Sequence, residues 1–439
     1  MAIFQFIYSI LSSLILLCIL PLLPLIAGKA KYRARIFRRL GFSLKEQLIN
    51  SGSKSAQAPT LWIHALSVGE VTSALPLLRG LRQQWPESSL IVSVTTRSGA
   101  EVANTLLSSL VDAIIPAPLD LGPVIPYFLR RIRPNLFIQV ETDFWPHWLF
   151  CLRQRQIPML LVNGRISARS FRRYQTFSQL FRPMFAAFTL LAMQTESDAN
   201  KMRKLGLEQS KVLTLGNLKL ETAPPKGGLS SSTSSTLATL RQEYGFSLSD
   251  PLWICGSTHP GEEEILLTMY SQLRAQFPGL QLLLAPRNIE RSGEIMHIFG
   301  RMHLDCRRRT QTPNTRGPAL ILDTIGELAG CYAMADVAFV GGSLKPFGGH
   351  NPLEPAGAGI PVLVGPYMED FSEITQGLTD AGGGFQGNNA EELTSCLVQL
   401  FADPFKRQSM GVRAAAWIAA HRGVVKNHLQ EIDRLLAEK

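Results

Sequence analysis

Charge is scarce in this chain, and what charge there is sits unevenly. Charged residues are 18% of the 439 and hydrophobic residues 46%, a balance that suits a globular protein and excludes extensive disorder. Cysteine is sparse too. The six, at 18, 151, 255, 306, 331 and 396, include no C-x-x-C pair, which excludes a zinc-ribbon site or a disulfide framework and leaves reduced, cytoplasmic thiols. No D-x-D occurs, and the nearest acidic pair, Glu141 and Asp143, is followed at once by Phe-Trp-Pro, so no metal is inferred. Helix-turn-helix, zinc-finger and RNP-type patterns are all missing. The net charge of +10 therefore does not point to nucleic acid.

Residues 2–28 carry no charge at all. Such a run is long enough to cross a hydrocarbon core of about 30 Å as a helix. A cleaved signal peptide would need positive charge ahead of the run, whereas Lys29, Lys31, Arg33, Arg35, Arg38 and Arg39 all follow it. The expectation is a membrane anchor helix over 1–28 and a basic juxtamembrane segment over 29–58, with everything after residue 29 on the cytoplasmic side. Pro21 and Pro24 leave open whether the helix spans fully or sits in one leaflet. A second basic run, "NGRISARSFRRY" at 163–174, suits anionic lipid head groups. It suits a solvated helix face equally well.

Length predicts two mid-sized domains and a short appendage. Beyond residue 58 the chain alternates short apolar runs with helix-length segments. The runs are "TLWIHAL", "LIVSVTT", "LFIQVET", "MLLVNGR", "LLAMQT" and "KVLTLGN", then "PLWICGS", "LQLLLAPR", "ALILDT", "VAFVGGS" and "PVLVGP". This is the pattern of a parallel sheet covered on both faces. Between the two sets lies a Pro-, Gly- and Ser-rich stretch, "ETAPPKGGLSSSTSSTLA". The predicted organisation is one Rossmann-like α/β domain over 59–222, a linker over 223–250, a second over 251–404 and a C-terminal helix within 405–439. Open sheets of this kind bind ligands at the carboxyl ends of their strands, and two facing domains would make a cleft there.

The polar residues at those ends form a short set. In the first half they include His64, Glu70, Glu141, Asp143, Asn163, Arg165 and Lys219; in the second, Ser257, His259, Arg287, Glu327, Ser343, Lys345, His350, Asn351 and Glu354. Glu70 stands in a first helical turn, where the helix dipole alone would favour an acid. Glu141 leaves a buried strand beside Trp145, where desolvation would raise its pKa. Asp143 reads as a helix cap. Arg287 ends an apolar strand and suits either a phosphate or an ion pair with Glu290. The stretch "SLKPFGGHNPLEPAGAGIPVLVGP" at 343–366 matches neither common phosphate-loop fingerprint. Gly348 and Gly349 ahead of Pro352 predict a helix amino terminus with free N–H groups for an anion, with Glu354 placed to accept from ribose hydroxyls.

The ordered blocks "SVGE", "VETDFWP", "NGRISARS", "GNLKLE", "GSTHPGEE", "APRNIER", "GGSLKPFGGHNPLEP" and "PVLVGP" together resemble the bacterial 3-deoxy-D-manno-octulosonic acid (Kdo) transferases. The resemblance implies a GT-B fold, with two Rossmann-like domains facing across a cleft and a final helix packing back on the first. It also implies transfer of Kdo from CMP-Kdo to the lipid A precursor at the bacterial inner membrane. By the same resemblance Glu70 is the proton acceptor, and Glu141 and Lys219 stabilise the transition state. The CMP contacts are Pro286, Arg287, Ile325, Gly326, Glu327, Asn351, Pro352, Leu353 and Glu354. No cofactor or metal is implied, and the partners are the CMP-Kdo donor, the lipid acceptor and membrane lipid. The chain departs from the family pattern at Asn288, where a histidine is usual, and at Asp143, where a glutamate is usual. Another GT-B transferase using a UDP-sugar, or a non-catalytic nucleotide-binding membrane module, are the alternative readings. The first needs a diphosphate site, and the second does not need Glu70 and Glu141 together.

Overall fold

The computed structural model describes residues 30–48, 58–141, 143–222, 234–311 and 317–438. The anchor expected over 1–28 lies outside these residues, and among the described residues no helix is long and apolar enough to cross a membrane. The chain forms two compact units. One runs to Glu221 and takes in Gly423–Lys439; the other is Thr222–Arg422.

In the first unit, seven parallel strands lie in the order β3-β2-β1-β4-β5-β6-β7. They are β1 (Thr60–Ala65), β2 (Ser89–Val94), β3 (Ala113–Pro116), β4 (Leu136–Val140), β5 (Met159–Gly164), β6 (Leu190–Met193) and β7 (Val212–Thr214). Every residue of β2, β4, β5 and β6 is buried, which is why these segments read as continuous apolar runs rather than alternating ones. On one face Trp62 packs against Phe137 and Trp148, with ring centroids 5.4 and 4.9 Å away. The order reverses between β1 and β4. That reversal is where a doubly wound sheet opens a crevice at its carboxyl edge.

The described part of the basic 29–58 segment is built into this unit. Leu44 is buried in the core, and Arg39 of the Ala30–Arg39 helix donates from Nε to the Ala117 carbonyl at 2.9 Å. The predicted C-terminal helix is two helices, Pro404–Ala420 and Val424–Ala437. Gly423, at φ 90°, separates them, and only the second belongs to the first unit. There Glu221 Oε1 accepts from the Gly423 amide at 2.7 Å.

The second unit has its own seven-stranded parallel sheet, ordered β10-β11-β9-β8-β12-β13-β14. Its strands are β8 (Leu252–Thr258), β9 (Gln281–Pro286), β10 (Arg307–Arg308), β11 (Ala319–Ile321), β12 (Val337–Val340), β13 (Val362–Val364) and β14 (Gly384–Gln386). Its reversal lies between β8 and β12. The later half of the predicted 223–250 linker is part of this unit. Residues Ser234–Glu243 are helical, Tyr244 and Phe246 enter the core, and the buried Arg241 donates to the Met334 and Asp250 carbonyls and to Asp336. Apolar side chains at 240, 244 and 246 outweigh the polar composition that suggested a linker.

The Pro404–Ala420 helix approaches the Leu353–Gly357 helix so closely that a Cβ on Gly411 would lie 2.0 Å from the Gly359 carbonyl oxygen. Backbone cannot yield as a side-chain tip can. Gly411→Ala is expected to destabilise the second unit by about 1–3 kcal/mol, read as a lower midpoint in urea. Gly330→Ala, where a Cβ meets nothing within 4 Å, should leave the midpoint unchanged or slightly raised.

Candidate active site

At the reversal in the first sheet, three carboxylates gather. β1 ends at Ala65 and the Val68–Gln84 helix begins three residues on, so Glu70 lies in its first turn and is buried. Its Oε2 accepts from the Leu66 amide. Burial, and after it the neighbouring carboxylates of Glu141 and Asp143, push the Glu70 pKa up to about 8, against the pull of the Leu66 N–H. A carboxyl group in this state exchanges a proton near neutral pH.

Glu141 follows the last residue of β4 with φ at 59°, and Asn163, the second-last residue of β5, has φ 56°. Left-handed backbone is uncommon for residues with a Cβ and is held only where surroundings over-determine it. Here Asn163 supplies the surroundings. Fully buried, it donates from Nδ2 to Glu141 Oε1 at 3.1 Å and accepts at Oδ1 from the Leu218 amide at 2.9 Å. Its carbonyl accepts from Gln194, whose Oε1 accepts from Asn217. Asn217 in turn accepts from the Lys219 amide at 3.0 Å. One side chain thus ties Glu141 to the turn that carries Lys219.

Asp143 is not a helix cap. The Pro146–Gln154 helix has Trp145 at its cap position, with no side-chain cap, while Asp143 Oδ2 meets Nε2 of the buried His64 at 3.0 Å. The imidazole is fixed from its other side by Ser93, whose carbonyl lies 3.1 Å from Nδ1.

In the second unit the predicted contacts fall into three places. Pro286 closes β9 in the core, and Arg287 beyond it is exposed, its amide donating to the Thr258 carbonyl at 3.0 Å. Among the described residues no ion pair with Glu290 forms. It is Arg291 that pairs, with Glu263 at 2.8 Å and Glu294 at 3.0 Å. Ile325 is 84% exposed, and Gly326, at φ 90°, has nothing within 4 Å of where a Cβ would stand. Beside them Glu327 accepts from Tyr244 Oη at 2.5 Å and from Arg309 Nε at 3.3 Å. Burial pushes its pKa upward, but the hydrogen bonds from Tyr244 and Arg309 and the Arg309 charge help to outweigh it, so Glu327 sits below the usual range.

Around residue 350 a helix does begin after the two glycines. It is short, Leu353–Gly357, with Pro352 at its cap. Leu353 donates to Asn351 Oδ1 at 3.1 Å and Gly349 to the Gly342 carbonyl at 2.8 Å, while Pro352 has no N–H. The glycines serve the loop's own packing. Gly349 takes φ 76°, and a Cβ there would lie 2.3 Å from Met368 Sδ. Glu354 accepts from Asn351 Nδ2 at 3.3 Å, and burial holds its pKa above the usual range.

Residues 34–222 match the family described as 3-deoxy-D-manno-octulosonic-acid transferase (kdotransferase). The chain is 34% identical over 427 residues to the 3-deoxy-D-manno-octulosonic acid transferase of Haemophilus influenzae, covering 95% of this chain and 96% of that one. It belongs to the 3-deoxy-D-manno-octulosonic acid transferase family. The Bordetella pertussis transferase of the same name is 30% identical over 397 residues, covering 87% of this chain and 90% of its own. Among solved structures, a glycosyltransferase from Rickettsia africae aligns with 87% of this chain and 100% of its own at 11% identity and TM-score 0.59. A UDP-GlcNAc 2-epimerase from Neisseria meningitidis, covering 87% of this chain and all of its own, does so at 14% and 0.56. These two share the GT-B-like fold alone.

Two polar residues of this chain take structural parts that the sequence alone did not show. Glu262 reads as one more acid in a first helical turn, yet it is fully buried and accepts from the amides of His259, Gly342, Ser343 and Leu344 at 2.9, 2.7, 3.0 and 2.8 Å. It pegs the loop after β12 to the end of β8. Asn163 was placed at a strand end without its partner.

Because the folded Glu70 keeps its proton up to about pH 8 while an unfolded glutamate loses it near 4.3, its contribution to stability is complete below that lower value. It is lost as pH rises toward 8. Glu70→Gln has no such loss. Its stability relative to the parent should therefore rise by about 1.4 kcal/mol per pH unit across this interval, measured by urea unfolding at pH 5, 6, 7 and 8, and level off above.

Proposed function

We propose that this chain transfers Kdo from CMP-Kdo to the lipid A precursor, with inversion at the anomeric carbon. The observation that carries the reading is the gathering of Glu70, Glu141 and Asp143 at one sheet reversal, with the Glu70 pKa pushed up to about 8. A sugar hydroxyl is a poor nucleophile near neutral pH, and a base whose pKa lies near the working pH removes its proton most effectively as the new bond forms. Glu70 is that base. The anomeric carbon becomes oxocarbenium-like as CMP departs, and a carboxylate held rigidly nearby stabilises the growing positive charge without reorganising. Glu141, locked through Asn163, fits this role. Lys219 supplies positive charge to the same transition state.

On the donor side, Arg287 meets the single phosphate of CMP. Exposed Ile325 and the open backbone at Gly326 offer an apolar edge and peptide groups to the cytosine, with Glu327 held in place by Tyr244 and Arg309. Asn351 and Glu354, already hydrogen-bonded to one another, face the ribose hydroxyls, while Pro352 and Leu353 contribute by shape. The 1–28 segment anchors the chain in the inner membrane with its catalytic units on the cytoplasmic side. The Ala168–Thr176 helix, which has no buried residue and carries Arg169, Arg172 and Arg173, lies against anionic lipid.

Incubation of the full chain with CMP-Kdo and a tetraacylated lipid A precursor should yield products heavier by whole Kdo units in mass spectrometry. Glu70→Gln should bind CMP at the parent's affinity and lose about 10²–10⁴-fold in transfer rate; full activity in that variant overturns the assignment of the base. CMP should bind more tightly than UDP, and the opposite order sinks the Kdo reading. In the parent, kcat/KM should rise with pH along a limb near 8, and Asp143→Asn, which removes one of the repelling charges, should move that limb to lower pH.

A further inference from the structure

At the reversal of the second sheet, two histidines meet. His259 follows β8 and His350 follows the loop after β12, and their Nε2 atoms are 2.7 Å apart. The rings are nearly parallel, with centroids 5.0 Å apart and planes 12° from one another. Phe347 stacks on His259 at 4.1 Å, so the pair is held by packing as well as by its own bond. Neither histidine belongs to the contacts that the family resemblance assigns to CMP.

Two imidazole nitrogens this close need one hydrogen between them, since one must donate and the other accept. With both rings neutral, two hydrogens are distributed over four nitrogens. One occupies the bridge, and the other must then sit on Nδ1 of the ring that accepts at Nε2. The pair accordingly offers one outward N–H donor at one end and one outward acceptor at the other. Moving the bridge hydrogen, while one Nδ1 gives up its hydrogen and the other gains one, exchanges the two ends.

Burial, more than the surrounding charges, favours the neutral form of both rings. Burial lowers the pKa of each, to about 4 for His350, where the His259 and Arg287 charges add to the effect. For His259, Glu262 opposes burial while Arg287 and Arg291 reinforce it. Lys345, near Gly261, and Asp370, near Gly348, complete the charged groups on the adjoining loops. Arg287, exposed at the end of β9, is thus electrostatically coupled to both imidazoles. An anion drawn to Arg287 arrives beside the pair.

We propose that His259 and His350 form a proton relay to the phosphate of the CMP-sugar donor, a role that rests on the transferase reading above. When the bond between the anomeric carbon and the phosphate oxygen breaks, its electron pair stays on that oxygen. The oxygen takes the hydrogen of the outward Nδ1–H. The bridge hydrogen shifts to the ring that gave it up, and the far ring takes a proton from water at its own Nδ1. After CMP leaves, water returns a proton to the near Nδ1, the bridge hydrogen shifts back and the far Nδ1 gives its proton to water, which restores the pair. The hydroxyl proton collected by Glu70 also returns to water, so water supplies one proton to the leaving phosphate and recovers one from the acceptor hydroxyl. Protonating the leaving group lowers the charge that builds on it, which is how a general acid assists departure.

The test uses the full chain, with CMP and cytidine as binding probes and Kdo transfer as the kinetic readout. His259→Gln and His350→Gln each keep an amide that can hydrogen-bond its neighbour but cannot pass a proton. Both should bind cytidine as the parent does, bind CMP within a few-fold of it, and lose roughly 10²-fold in kcat with little change in KM. Parent kcat in either variant overturns the relay. Loss of cytidine and CMP binding together also overturns it, because the pair is then only structural. A parent chain that fails to bind CMP overturns the donor reading instead, which separates the two failures.

Discussion

Repulsion among Glu70, Glu141 and Asp143 is the constraint that the first unit is arranged around. Three carboxylates at the end of two adjacent strands cannot all be charged in a buried setting without compensation. Each receives something different. Asp143 has His64, Glu141 has the amide of Asn163, and Glu70 has the Leu66 N–H and an elevated pKa. Arg39 of the Ala30–Arg39 helix adds positive charge to the same edge, and burial and Arg35 hold its pKa below the usual value against the opposing pull of Asp143. The unequal compensation leaves one carboxyl that trades protons and one that stays fixed.

The second unit solves a different problem with one side chain. Its strand-end loops must keep their backbone groups paired. Glu262 answers four amides at once, two of them supplied by Ser343 and Leu344 to a single oxygen. A carboxylate with that many N–H donors can be buried without a cationic partner. Its neighbour Glu263 takes the opposite course and pairs with Arg291. The "PGEE" pair thus fixes two loops from one helical turn.

Much of this was legible beforehand. Continuous apolar runs gave both sheets because parallel strands are buried on both faces, and the strand-to-helix turns gave Glu70, Glu141 and Arg287 their positions. What failed to show was geometry that depends on contacts distant in sequence. The "SSTSSTLATLRQEYGF" end of the linker looks polar, and only packing of Tyr244 and Phe246 reveals it as part of a domain. Asp143 looked like a cap because its partner His64 stands 79 residues earlier. The glycines at 348 and 349 suggested room for a ligand, whereas Met368 and Asp370 occupy that room.

The 2.7 Å bond between Glu221 and Gly423 has a consequence for how such a protein can change. The second unit leaves and re-enters the first at neighbouring points, so it is an insertion whose two ends are already joined by the host. Exchanging it for another module of similar end-to-end span would cost little loop-closure entropy. A fold with this connectivity can replace one unit without rebuilding the other.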